Sequence, residues 1–200
     1  MLALALLPAQ LGAQGITAGF SAGLSLANLT GDDADEDLDS RTGFNAGAFV
    51  DFPIGEIIGV STGLYYVQKG FSDDVGDVEL GLDYLEVPIL LRVTALGGDD
   101  AVGVNLFLGP TLAFEIGCEA DFEGFGSVDC DEDDEFPTKG FDLGLAFGAG
   151  VTFPVSDAMS LFGTAIYDFG LRSIDDSGVD FDIKNETVLL DVGVAFRLGG

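Results

Sequence analysis

Phe141-Asp142-Leu143-Gly144-Leu145-Ala146-Phe147-Gly148-Ala149-Gly150-Val151-Thr152-Phe153 alternates with a period of two. In an extended chain the odd positions put four large apolar side chains or more on one face, and the even ones put glycine, alanine, threonine and a single aspartate on the other. Alternation sustained over this length predicts a strand, here over 140–153. The stretch 186–198 repeats it, with Val188, Leu190, Val192, Val194, Phe196 and Leu198 set against Thr187, Leu189, Asp191, Gly193, Ala195 and Arg197. So does 16–28, where Ile16, Ala18, Phe20, Ala22, Leu24 and Leu26 oppose Thr17, Gly19, Ser21, Gly23 and Ser25. A water-soluble ligand barrel turns its apolar face inward and shows lysine and glutamate to solvent. Here the second face is small instead. Small residues suit the crowded interior of a narrow barrel, and bulky apolar ones suit acyl chains.

Turn-forming clusters divide the chain into eight such segments, near 16–28, 42–52, 57–70, 83–96, 103–116, 140–153, 158–171 and 186–198. Their connections alternate in length. Short turns fall at Pro53-Ile54-Gly55-Glu56, at Gly97-Gly98-Asp99-Asp100 and at Pro154-Val155-Ser156-Asp157, whereas 29–41, 71–82, 117–139 and 172–185 are long. All long connections then lie at one end, as in an up-and-down transmembrane barrel with short periplasmic turns and long extracellular loops. Charge follows the same division: 25 of the 35 acidic residues fall within 29–41, 71–83, 117–139 and 172–186. The expected fold is therefore all-β, an eight-stranded antiparallel up-and-down transmembrane β-barrel with long acidic extracellular loops. Tyr65, Tyr66, Phe71, Tyr84, Phe114, Phe141, Tyr167 and Phe169 fall toward the long-loop end and Phe52, Phe153 and Phe196 toward the other, which predicts two partial aromatic girdles.

Composition narrows the function. Across 200 residues there are 35 acidic and 7 basic side chains, a formal charge of −28. Nucleic acid is excluded as a partner, because every phosphate contact would be made against a repelling field. The chain contains no histidine and two cysteines, which removes histidine-based acid–base chemistry, the Ser/His/Asp triad and the usual zinc sites. No enzyme activity and no cofactor are expected. Met1 to Ala13 is apolar, uncharged and ends in small residues; it reads as a signal-peptide remnant, leaving 14–200 as the barrel domain. No other apolar run reaches 18 residues, so any membrane crossing is made by strands.

Several stretches together resemble the PorT-like outer-membrane β-barrel family: 19–29 (GFSAGLSLANL), 42–47 (TGFNAG), 63–70 (GLYYVQKG) and above all 83–92 (DYLEVPILLR), with Gly109-Pro110 and 148–151 (GAGV) in support. The resemblance spans essentially the whole segment after the leader. It implies an eight-stranded barrel in the cell outer membrane of a didermal bacterium, commonly without assigned activity. It also implies, as an alternative role, an accessory component of a protein secretion system.

The strand charges with inward parity are Asp51, Lys69, Glu86, Arg92, Glu115, Asp142, Asp168, Asp191 and Arg197. Pairing through the short turns places Glu86 between Lys69 and Glu115, with Asp51, Arg92 and Arg197 toward the periplasmic end. Glu86 and Arg92 are six residues apart, about 20 Å at ~3.3 Å per residue, so two layers of charge are expected. An ion-pair network filling the lumen is the plain reading. The alternative is a proton or cation path through Asp142, Asp168 and Asp191, taken to lie at similar outer depth. Asp33, Asp35, Asp37 and Asp39 have the spacing that opens an EF-hand, but Leu38 and Phe44 stand where glycine and the bidentate glutamate belong; Asp129, Asp131 and Asp133 fail likewise at Gly140. No metal site follows, and weak divalent cation binding by the loops stays open. Outer-membrane lipid and envelope or secretion-machinery proteins are the remaining partners. Cys118 and Cys130 suit a disulfide in an exported chain, closing a 13-residue segment for roughly 3 kcal/mol; two free thiols are the alternative.

Overall fold

The computed structural model describes residues 15–31, 39–73, 78–97, 101–122, 126–130, 139–174 and 182–198. The segment 1–13, read from the sequence as a leader, and most of the acidic calcium-like runs, within 32–38 and 131–138, lie outside them. Among the described residues nine strands follow one another: β1 (Ile16–Thr30), β2 (Asp39–Pro53), β3 (Ile58–Asp73), β4 (Val78–Leu96), β5 (Gly103–Phe122), β6 (Gly126–Asp129), β7 (Phe141–Ser156), β8 (Met159–Gly170) and β9 (Lys184–Leu198). Every pairing is antiparallel, β1 pairs with β9, and β4 pairs with β5. Eight strands thus close on themselves. The ninth, β6, is a short arm that, among the described residues, pairs only with the outer end of β5, Glu119–Phe122.

Closure has a structural reason. An open edge in hydrocarbon would leave backbone N–H and C=O groups without partners, at several kcal/mol each. Followed from Leu26 through Val188, Tyr167, Phe147, Leu108, Leu91 and Val60, the register arrives at Phe52, next to Asp51, the partner of Thr17. The circuit slips by about ten residues, a stagger that goes with a strand tilt of roughly 40° in a narrow barrel.

The wall is oriented as the alternation requires. Phe147 (51% exposed), Leu108 (53%) and Val192 (71%) point away from the lumen, while Ala146 on the other face of β7 is fully covered. Two turns are tight: residues 54–57 join β2 to β3, with Ile54 N–H donating to the Ile58 carbonyl at 2.9 Å, and 157–158 join β7 to β8.

At the opposite end the strands run further than the acidic composition suggested. β4 begins at Val78 rather than near 83, and β5 continues to Phe122 rather than ending near 116. Above the level of Tyr84 the inner face turns apolar. Leu80, Leu82, Tyr84, Ala113, Cys118, Ala120, Cys130 and Ile174 form a buried cluster, with Leu29, Phe71, Phe122 and Ile183 packed against it. Cys118 and Cys130 are joined by a disulfide, Cα–Cα 5.3 Å, and the Cys130 N–H donates to the Cys118 carbonyl. The arm is thereby fastened to the wall.

Candidate functional site

Lys69 is the centre of the lumen's outer half. Its strand parity turns it inward, where it is 2% exposed. An ammonium group so far from water needs compensation, and two carboxylates supply it. Glu86 Oε2 lies 2.9 Å from Nζ and Asp168 Oδ2 lies 3.1 Å away, both on buried side chains. The Lys69 ammonium also stands 5.4 Å from the centre of the Tyr84 ring, where the ring face attracts a cation. Asp168 accepts a second hydrogen bond, from Thr111 Oγ1 at 2.8 Å. That geometry requires Gly144, since a Cβ there would collide with both Asp168 and Thr111.

A second set sits beside this triad. Asn185 Nδ2 donates to Asp142 Oδ2 at 2.9 Å and to the Tyr84 hydroxyl at 3.3 Å, and that hydroxyl donates to Glu115 Oε2 at 3.4 Å. β3, β4, β5, β7, β8 and β9 are therefore cross-linked through side chains across the lumen. Toward the short turns lies another polar layer: Arg92 Nε stands 3.8 Å from Asp51, and the Arg92 guanidinium donates to Thr94 at 3.0 Å and to Asn105 at 3.2 Å. Arg197 lines the same end.

The register corrects three expectations. Glu86 is level with Tyr65 and Ala113, not with Lys69 and Glu115; the long Lys69 side chain still reaches it, but its further neighbour is Asp168 across the lumen, and Glu115 is served by Tyr84. Asp142, Asp168 and Asp191 do not share a depth. Asp168 is level with Ala146, four residues below Asp142, and Asp191 is level with Thr164, four residues below Asp168. Strand tilt offsets only part of each step, so the three carboxylates are spread down the lumen. Tyr65 and Tyr84 leave the outer girdle: Tyr84 is fully buried and Tyr65 lines the lumen. Phe71 leaves it too, packing against the apolar cap. The outward aromatics meet in pairs instead, Phe44 with Tyr66, Phe114 with Phe141 and Phe147 with Tyr167, ring centres 5.1–5.3 Å apart.

Sequence reasoning passed over Asn185 and Thr111 and read Tyr84 as a girdle residue. The parity that turned Glu86 inward holds for Tyr84, two residues away, and was the available signal. Nothing in the linear pattern pairs Asn185 with Asp142. Among the described residues no group of three or more metal-ligating side chains is arranged to hold a metal.

A family model described as outer membrane protein beta-barrel domain matches residues 9–176. Among solved structures the chain is similar to neisserial surface protein A at 13% identity and TM-score 0.54, covering 92% of this chain and 97% of that one. It is similar to the outer membrane protein OprG from Pseudomonas aeruginosa at 12% and 0.53, covering 94% and 98%. A major outer membrane protein from Thermus thermophilus gives 17% and 0.51, covering 90% and 99%. At these identities the likeness shows the fold alone. No curated protein matches the chain.

Proposed function

The chain belongs to the outer membrane protein beta-barrel domain family, and from that premise we propose a PorT-like, non-enzymatic barrel that does not form a large aqueous pore and acts through its wall and its acidic outer rim. Its place is the bacterial outer membrane. The observation that carries the reading is the Lys69–Glu86–Asp168 cross-link, drawn from β3, β4 and β8 and lying beneath an apolar cap. Ions and solutes crossing the lumen would have to break buried ion pairs and then pass a layer of leucine and tyrosine. Catalysis is disfavoured by the same set: in a chain without histidine, Glu86, Asp168 and Asp142 are held by lysine, threonine and asparagine, so these carboxylates are not poised as nucleophile and base.

The outward surface above the membrane band carries Glu79, Asp83, Glu119 and Asp121 on the extended walls of β4 and β5. This rim offers negative charge to envelope proteins and to divalent cations bound weakly by the loops. Planar-bilayer recording of the refolded chain tests the reading. A quiet membrane is expected, and a large steady conductance at the nanosiemens scale would overturn it. The secretion-linked alternative, which comes from the PorT resemblance, calls for secretion-machinery proteins in a mild-detergent co-purification.

A further inference from the structure

On the short-turn side of Lys69 the lumen opens into a cavity of about 420 Å³, within the usual range for small-molecule sites. Its presence in so narrow a barrel has a visible cause. Phe49 from β2 and Phe162 from β8 reach over the intervening wall of β1 and β9, meeting edge to face with centres 5.3 Å apart. Gly19 and Gly193 lie beneath them, and a Cβ on either would run into the ring it carries. Tyr65 is seated on Gly47 in the same way. The rings therefore line the cavity rather than fill it.

One buried charge in this cavity has no counter-ion. Asp51 is matched by Arg92 and Glu86 by Lys69. Asp191, 9% exposed and also lining the cavity, accepts hydrogen bonds only from the neutral side chains of Asn45 and Thr164 among the described residues. Its Oδ1 has no hydrogen-bond partner, and no ion pair among the described residues includes it. All seven lysines and arginines of the chain are among those residues.

We infer that this cavity binds a small organic cation, its ammonium group against Asp191 and its aromatic or branched aliphatic body against Phe49, Phe162 and Tyr65. A buried carboxylate favours a cation over a neutral or anionic group, ring faces add attraction for the same charge, and the apolar body gains from leaving water. An anion of equal shape would meet the unpaired Asp191 with like charge. Entry is from the short-turn, periplasmic side. The inference goes beyond the proposed function and takes from it only the closed outer end, which sets the direction of entry.

The chain has no tryptophan, so a single introduced one reports on its own position. Phe162→Trp places it in the cavity, and Phe153→Trp, on the lipid face (49% exposed), serves as control. Each full-length variant, refolded in lipid nanodiscs, is titrated with phenethylammonium, 2-phenylethanol and 3-phenylpropanoate. The expected result is a saturable emission change at position 162 with phenethylammonium, none at 153, and at least tenfold weaker responses to the alcohol and the acid. Adding Asp191→Asn to the Phe162→Trp background is expected to weaken the amine at least tenfold and to abolish its advantage over the alcohol. No saturable response, equal responses to amine and alcohol, or undiminished binding with Asp191→Asn overturns the inference. If the asparagine variant fails to fold, the charge series alone decides, and Phe49→Trp replaces the reporter should Phe162→Trp fail. Conductance of the same samples, read without any amine, separates a failure of the closed-barrel reading from a failure of this one.

Discussion

Lys69 satisfies two carboxylates from different strands, so removing it does more than delete one ion pair. Lys69→Met leaves Glu86 and Asp168 buried and uncompensated, and breaking a buried pair in this way costs about 3–5 kcal/mol. Urea titration in detergent, followed by the folded-to-unfolded gel shift, is expected to show that loss. Lys69→Met combined with Glu86→Leu and Asp168→Leu is expected to regain most of it, because an apolar set of similar volume carries no desolvation penalty. Equal stability of Lys69→Met and the parent would show that the triad is not a structural pin. The inward charges themselves were legible from strand parity. Their partners were not, since the contact between Lys69 and Asp168 joins β3 to β8 across the lumen, and its depth depends on the tilt and stagger of the whole circuit.

Along a single strand, β4 shows how the environment changes while parity does not. Even positions face inward from Leu80 to Thr94, before the irregularity that exposes Leu96. Near the short turns the odd positions Ile89 and Leu91 are the exposed apolar ones, whereas near the outer end the even Leu80 and Leu82 are buried and the odd neighbours are Glu79, Gly81 and Asp83. Bulky-out gives way to bulky-in where lipid gives way to water. That inversion is why acidic 78–82 and 117–122 read as loops and are strands. Two expectations belong to this scale. Val192→Arg, on the lipid face of β9, is expected to cost about 2–4 kcal/mol near the bilayer midplane, measured by the same urea titration; a neutral outcome would place β9 outside the hydrocarbon. Cys118→Ser with Cys130→Ser removes a cross-link over a separation of 12 residues, about 3 kcal/mol by the loop-entropy estimate. The loss is confined to the β5–β6 arm, so limited proteolysis should quicken within 117–139 while the barrel keeps its folded gel mobility. Intact mass with and without reductant checks the bridge: an unchanged mass means it is absent.

For the whole molecule the governing constraint is backbone satisfaction in hydrocarbon. It makes closure all-or-none: β1 and β9 either pair along their length or the sheet exposes two edges. The chain is therefore expected to resist sodium dodecyl sulfate at room temperature and to shift in gel mobility only on boiling. A mobility unaffected by boiling would contradict a closed barrel. The charge of −28 is not spread evenly over this shape. Among the described residues Glu79, Asp83, Glu119 and Asp121 gather at the outer ends of β4 and β5, where water and counter-ions screen their repulsion.

The sequence alone determined the strand periodicity, the inward and outward faces and the number of barrel strands, because each of these depends on neighbours two residues apart or on loop length. Only the tertiary structure decided which charges meet, that Phe49 and Phe162 meet over β1 and β9, and that a cavity survives below Lys69 beside an unmatched Asp191. Those outcomes depend on distances across the barrel. Such distances are fixed by a stagger accumulated over eight pairings, and no stretch of the chain carries that sum within itself.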